Sequence, residues 1–156
     1  MPEASQPQTL EGAGGSGDGI TIARSDVEIL RCFPVMQQLR THLVEDEFVG
    51  RVGRQAAGGY RLAFVQETGQ VRAVAGFRYI DNLISGRILY VDDLVTDSNT
   101  RSRGHGGQLL RWLVGQAEAE GCSALELDSG VQRFDAHRFY LTHRMMISSH
   151  HFRLPL

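Results

Sequence analysis

Two adjacent carboxylates, Asp92 and Asp93, stand near the end of an apolar run from Arg87 to Thr96. A glycine-rich stretch follows, so that the segment reads D-L-V-T-D-S-N-T-R-S-R-G-H-G-G from Asp93 to Gly107. The run predicts a strand ending at Thr96, then a polar loop, then a helix opened by Gly104, Gly106 and Gly107. Glycines there let the backbone approach a ligand closely. The first turn of a helix leaves N–H groups unpaired, and its dipole adds partial positive charge. Arg101 and Arg103 add full charges, and together these features suit a pyrophosphate. Two familiar phosphate motifs do not fit. G-x-x-x-x-G-K-[ST] needs a lysine, and the chain has none. The dinucleotide fingerprint needs a third glycine that is absent, in an opening βαβ unit that this segment does not form.

The elements that must hold this segment follow from periodicity. With 156 residues, 42% hydrophobic, the chain suits one domain with one core. Residues 1–19 carry Pro2, Pro7 and five glycines with few large apolar side chains, and are expected to be a disordered tail. The domain is expected over 20–156. Residues 19–23 read as a strand, and Ser25 caps a helix that Pro34 should interrupt or kink. A second helix is expected over 46–55, closed by Gly58-Gly59. Residues 60–66 and 71–80 read as a hairpin turning at Thr68-Gly69, and 87–96 as a central third strand. From Gly104 the period changes to 3.6, with Leu109, Leu110, Leu113, Val114 and Ala117 on one stripe and Gly121 as the stop. A strand over 124–128, a helix over 135–142 and a last strand over 146–154 complete the order. This is an α+β, or mixed α/β, layout around a single sheet.

With those elements in place, the segment resembles the acetyl-CoA loop of the GNAT superfamily of N-acetyltransferases. That loop runs Arg or Gln, two residues, Gly, one residue, then Gly or Ala. Arg101, Gly104 and Gly106 match it in a strand–loop–helix context. Tyr90 to Thr96, Y-V-D-D-L-V-T, is similar to the preceding strand of polyamine-type members, and D-A-H-R-F-Y resembles the later helix with its tyrosine, Tyr140. Arg144-Met145 stands where the family usually shows Gly-Phe. The resemblance spans roughly residues 20–154 and implies a single central mixed sheet flanked by helices.

It also implies roles. The backbone of Leu94, Val95 and Thr96 would pair with the pantetheine arm of acetyl-CoA, and Ser102, Arg103, Gly104, His105, Gly106 and Gly107 would hold the pyrophosphate with Arg101. Tyr140 would protonate the departing thiolate; read without the resemblance, it is a helix aromatic packing on the core. The acceptor would be a primary amine on a small molecule or peptide, attacking directly in a ternary complex. A lysine-like amine must lose a proton at a cost of roughly 4–5 kcal/mol at pH 7. Neighbouring strand residues point to opposite faces, so only one of Asp92 and Asp93 can meet that amine unless a bulge re-aims them. Asp92 shares its face with Tyr90 and Leu94 and is the expected acceptor-facing carboxylate, binding the amine or relaying its proton. Asp93 either lines the same site or is structural, and Ser129 is expected to line the acceptor pocket. Arg133 and Arg138 either bind a phosphate or are solvated. The competing reading is an acyl-CoA-binding regulatory domain that has lost turnover.

Other classes are disfavoured by composition. A net charge of -2 gives no drive toward nucleic acid or anionic membranes. No stretch is long and apolar enough to span a membrane. The histidines fit no metal-ligand spacing, so no metal is expected. Cys32 and Cys122 read as reduced, buried thiols of a cytoplasmic protein rather than a disulfide. Arginine, alanine and glycine abundance points to a GC-rich bacterial source, and the resemblance leaves a homodimer open.

Overall fold

The computed structural model describes residues 19–156. The expected tail, residues 1–19, lies outside them except for Gly19. A first strand β1 (Ile20–Ile22) leads to helix α1 (Asp26–Leu39). Ser25 caps that helix in a reciprocal box: its hydroxyl accepts from the Glu28 N–H, while the Glu28 carboxylate accepts from the Ser25 N–H. Of the two effects expected of Pro34, the interruption does not occur: α1 runs unbroken through it. The proline lies on the exposed side, while Cys32, Phe33, Val35 and Met36 around it are buried and carry the helix through. Helix α2 (Glu45–Ala57) follows and stops at Gly58, and Gly59 turns the chain with φ +94°.

Strands β2 (Arg61–Glu67), β3 (Gln70–Asn82) and β4 (Gly86–Thr96) form an antiparallel meander. Helix α3 (His105–Ala119) then crosses over, so that β5 (Ala124–Leu127) lies parallel to β4. Helix α4 (Phe134–Thr142) comes last. The sheet order is β1-β2-β3-β4-β5, a mixed sheet with helices on both faces. Burial explains this layering. Ile29, Phe33, Met36, Phe48 and Val52 pack with Leu62, Phe64 and Val74 on one face. Leu109, Leu113 and Ala117 of α3 pack with Ala75, Phe77, Leu89 and Val91 on the other.

The expected last strand over 146–154 is not formed. Met146, Ile147, Phe152 and Leu154 are 80%, 74%, 90% and 83% exposed. Ser148, Ser149, His150 and His151 interrupt the apolar alternation, so an extended segment here would carry polar groups on both faces and bury neither.

Two irregularities in β4 shape the site. Gly76 pairs with Asp93 but Phe77 pairs with Val91, so Asp92 is the extra residue of a β-bulge. Pairing with β5 ends at Val91↔Leu127. Beyond that point the outer edge of β4, through Leu94, Val95 and Thr96, has no neighbouring strand among the described residues.

Candidate active site

The open edge of β4 forms one wall of a cleft of about 740 Å³. Leu94, Val95 and Thr96 line it together with Arg101, Ser102, Gly104, His105 and Gly106 from the loop and the start of α3. Phe134, Phe139 and Tyr140 of α4 form the opposite wall. The loop has the backbone such a wall needs. Ser102 and Gly104 take left-handed conformations, φ +70° and +83°, and Gly104 is the N-cap of α3. The Gln108 N–H bonds to the Gly104 carbonyl, so the amides of His105, Gly106 and Gly107 come before the helix can pair its own. His105 is 8% exposed, and its Nε2 is buried without a hydrogen-bond partner. A Cβ at Gly106 would sit 3.0 Å from the Thr96 hydroxyl and 3.6 Å from the Phe139 ring, so glycine lets strand, helix and α4 converge. An open strand edge beside unpaired helix-start amides can hold a phosphate-bearing ligand with an extended arm.

Arg103 and Gly107 do not line this cleft. The Arg103 guanidinium pairs with Glu67 at 3.2 Å. A Cβ at Gly107 would meet His143 and Arg111.

A second cleft, of about 490 Å³, opens on the other side of β4. Asp92, Ser129, Arg40, Asp128, Arg133 and Arg153 contribute to its lining. Leu94, Gln132, Arg133 and Tyr140 border both clefts, so the two meet there.

The alternation expected of Asp92 and Asp93 is overturned by the bulge. Asp92 Oδ2 is 2.9 Å from Arg78 Nε, and the Arg78 guanidinium lies over the Tyr60 ring. Asp93 accepts from the Tyr60 hydroxyl and from Arg40 Nε, both at 2.8 Å. Both carboxylates therefore reach the network around Tyr60, on the side of α1 and α2, while Leu94 packs with the α3 cluster. Asp92 does not share its face with Leu94 as alternation required. Asp92 lines the second cleft and Asp93 does not. Asp93 instead holds Arg40, whose Nη2 donates to the Asp92 carbonyl. Burial raises the Asp92 pKa above the usual carboxylate range against the pull of Arg78. Burial, then the Asp93 charge, pushes the Tyr60 phenol far up.

Tyr140 sits at the junction with its pKa raised by burial, opposed by the Arg133 cation. Its phenol therefore keeps its proton at neutral pH. The helix end behind it is tightly specified. The Met145 N–H bonds to the Tyr140 carbonyl and the Arg144 N–H to the Leu141 carbonyl, with Arg144 left-handed at φ +65°. The Ser129 hydroxyl is buried without a partner beside the second cleft.

Sequence reasoning missed Arg40, Arg78, Tyr60, Asp128 and Arg153, and the partner of Tyr90. Tyr90 donates to Asp128 at 2.5 Å, bracing β4 against the end of β5. The strand pattern put Tyr90 near the site, but partners drawn from distant elements leave no local signal. Arg138 lines neither cleft and lies 4.0 Å from Asp135. His137 Nε2 is within 2.8 Å of the Gly130 carbonyl, a loop contact. Among the described residues no three His, Cys, Asp or Glu side chains gather to hold a metal, and no helix is long and apolar enough to cross a membrane.

Residues 28–144 match the Acetyltransferase (GNAT) family. The chain belongs to that family. It is an acyltransferase of the N-acetyltransferase type. It is 35% identical over 135 residues to the Bacillus subtilis protein named "Uncharacterized N-acetyltransferase YhdJ", covering 85% of this chain and 94% of that one. It is 38% identical over 63 residues to an aminoalkylphosphonate N-acetyltransferase of Salmonella typhimurium, covering 40% of each. Among solved structures, aminoglycoside N-acetyltransferase AAC(6')-Iy in complex with CoA superimposes with a TM-score of 0.76 at 12% identity, covering 91% of this chain and 97% of that one. Such a likeness shows the shared GNAT fold.

Proposed function

We propose that the protein transfers an acetyl group from acetyl-CoA to a primary amine by direct attack in a ternary complex. The observation that carries this reading is the meeting of two clefts at Leu94 and Tyr140. One cleft offers an open strand edge and a helix N-terminus to a long phosphorylated donor. The other offers a carboxylate, Asp92, to an amine. A donor and an acceptor entering from opposite sides meet without a covalent enzyme intermediate, which matches a pair of clefts better than a single deep pocket would.

Acetyl-CoA supplies an activated acyl group on a thiol leaving group. The chain's own residues do the rest. Leu94, Val95 and Thr96 bind the donor arm through their unpaired backbone edge. Arg101 and the amides of the α3 start bind its phosphates, and the unpartnered Nε2 of His105 stands in the same wall. Asp92, its pKa raised by burial, binds the ammonium form and accepts its proton. Tyr140 holds a proton at the junction for the leaving sulfur. Bringing both reactants to one point supplies much of the acceleration, since orientation alone is worth up to roughly 7–11 kcal/mol.

The test is release of free thiol when acetyl-CoA and a panel of primary amines are mixed with the protein. Thiol appearing in step with N-acetylated product supports the reading. Tight acetyl-CoA binding with no thiol from any amine would sink it and favour a regulatory acyl-CoA-binding domain.

A further inference from the structure

The acceptor cleft carries an asymmetry of charge. Its two carboxylates are already engaged: Asp92 by Arg78 at 2.9 Å, and Asp128 by the Tyr90 hydroxyl and by His151 at 3.5 Å. Of its three arginines, Arg40 is held by Asp93 at 2.8 Å. The other two, Arg133 and Arg153, have no acidic partner among the described residues, and both line the cleft. A cleft with engaged acids and unengaged guanidinium groups presents positive potential to whatever enters. That is a poor match for a polycation, whose second ammonium would meet Arg133 or Arg153 with a like charge. It matches a molecule that brings one amine and one acid.

We propose that the acceptor is an aminated anion: a primary amine that also carries a carboxylate, phosphate or phosphonate, whose acidic group is bound by Arg133 and Arg153. This deepens the acetyl-transfer reading and rests on it for the amine end alone. The two ends of the cleft divide the work. Asp92, beside the junction at Leu94 and Tyr140, receives the amine on the carboxylate oxygen that Arg78 does not hold, since Arg78 Nε bonds to Oδ2. Arg153 comes from the C-terminal segment and Arg133 from the residue capping α4. Planar guanidinium groups suit oxyanions because they offer paired donors in a fixed fork. Arg133 borders both clefts, so an acid bound there sits close to the transfer point. A short spacer between amine and acid follows from that placement.

The experiment is calorimetric titration of the CoA-loaded protein with 3-aminopropylphosphonate, β-alanine, propylamine and spermidine, followed by thiol-release kinetics on the same four. The expected result is that the two aminated anions bind at least about tenfold more tightly than propylamine, with spermidine weakest. Arg153→Ala should raise the KM for 3-aminopropylphosphonate by about tenfold with kcat little changed, and Arg153→Lys should recover part of the loss. Arg153 is exposed, and an unchanged melting temperature shows that the variant folds. Equal or tighter binding of propylamine or spermidine overturns the proposal, as does an unaltered preference in Arg153→Ala. The binding arm keeps the two readings apart. Thiol release from plain amines with no preference for anions defeats this inference and leaves acetyl transfer standing. Preferential anion binding with no thiol release defeats acetyl transfer, and with it the acceptor role of the anion, and leaves Arg133 and Arg153 as an anion-binding pair alone.

Discussion

Asp92 and Asp93 are neighbours in the chain and yet both carboxylates reach the Tyr60 network, because Asp92 is the extra residue of a bulge opposite Gly76 and Phe77. Their roles are nonetheless distinct. Asp92 lines the acceptor cleft, whereas Asp93 is bound by Tyr60 and Arg40. Asp92→Asn should lower kcat/KM for the amine by roughly 10²-fold or more, the usual worth of a general base, with little change in melting temperature. Asp93→Asn should instead destabilise the fold by about 1–3 kcal/mol, since it weakens a buried phenol's acceptor. Steady-state kinetics and denaturant titration on both variants separate the two. A kinetic loss confined to Asp93→Asn would reverse the assignment.

The bulge depends on an absent side chain. A Cβ at Gly76 would fall on the Tyr60 hydroxyl, with Asp93 Oδ2 at 2.6 Å. Tyr60 is 5% exposed and cannot swing away. Gly76→Ala should therefore cost about 1–3 kcal/mol by overpacking and displace Asp93 from its partners. The denaturation midpoint measures the first effect. A matching drop in activity, without loss of CoA affinity, measures the second.

Much of this was legible in the sequence because it is local. The turn at Thr68-Gly69, the period change at Gly104 and the helix cap at Ser25 each act within a few positions, and the structure places them as read. The bulge was not legible. Its cause is the contact of Gly76 with Tyr60 and Asp93, residues from three separate strands or turns. The same holds for Arg78 and Arg40, whose partners lie 14 and 53 positions away. The last strand failed for a different reason. The apolar residues of 146–154 suggested burial, but the polar run from Ser148 to His151 leaves no continuous face to bury.

Tyr140 should show its role in both rate and pH. Burial raises its pKa while Arg133 opposes, so the phenol stays protonated through neutral pH and past the ordinary tyrosine value of about 10. Ionisation of the acid should therefore leave kcat flat through neutral pH, with any fall set at higher pH than an unburied tyrosine would give. Tyr140→Phe should lower kcat by about 10²-fold or more while acetyl-CoA affinity stays within about twofold. An unchanged kcat would remove Tyr140 from the chemistry and leave it as a packing residue.

Asp97 ties the site to acid stability. Burial works to raise its pKa, but hydrogen bonds from Gln38, the Asn99 N–H and Arg72 outweigh it and hold the carboxyl below its usual range. A folded pKa below the unfolded one stabilises the protein above the unfolded value. That stability is lost as pH falls through the folded value. The melting temperature should thus decline as pH drops below about 4, and Asp97→Asn should flatten that decline while lowering stability at neutral pH. A parallel acid slope in both proteins would show that Asp97 is not the group responsible.

Arg144 occupies a position that favours glycine. The two bonds that close α4, Met145 N–H to Tyr140 O and Arg144 N–H to Leu141 O, place it one residue past the cap with φ +65°. A side chain with a Cβ costs about 1 kcal/mol in that left-handed conformation, and glycine escapes the cost. Arg144→Gly should therefore raise stability by roughly 0.5–1 kcal/mol, or a few degrees of melting temperature for a domain of this size. The gain should come without loss of rate, because the bonds that orient Tyr140 are made by the backbone and survive the change. A fall in melting temperature would mean that the Arg144 side chain itself supports the C-terminal segment, and that the strain at φ +65° is outweighed there.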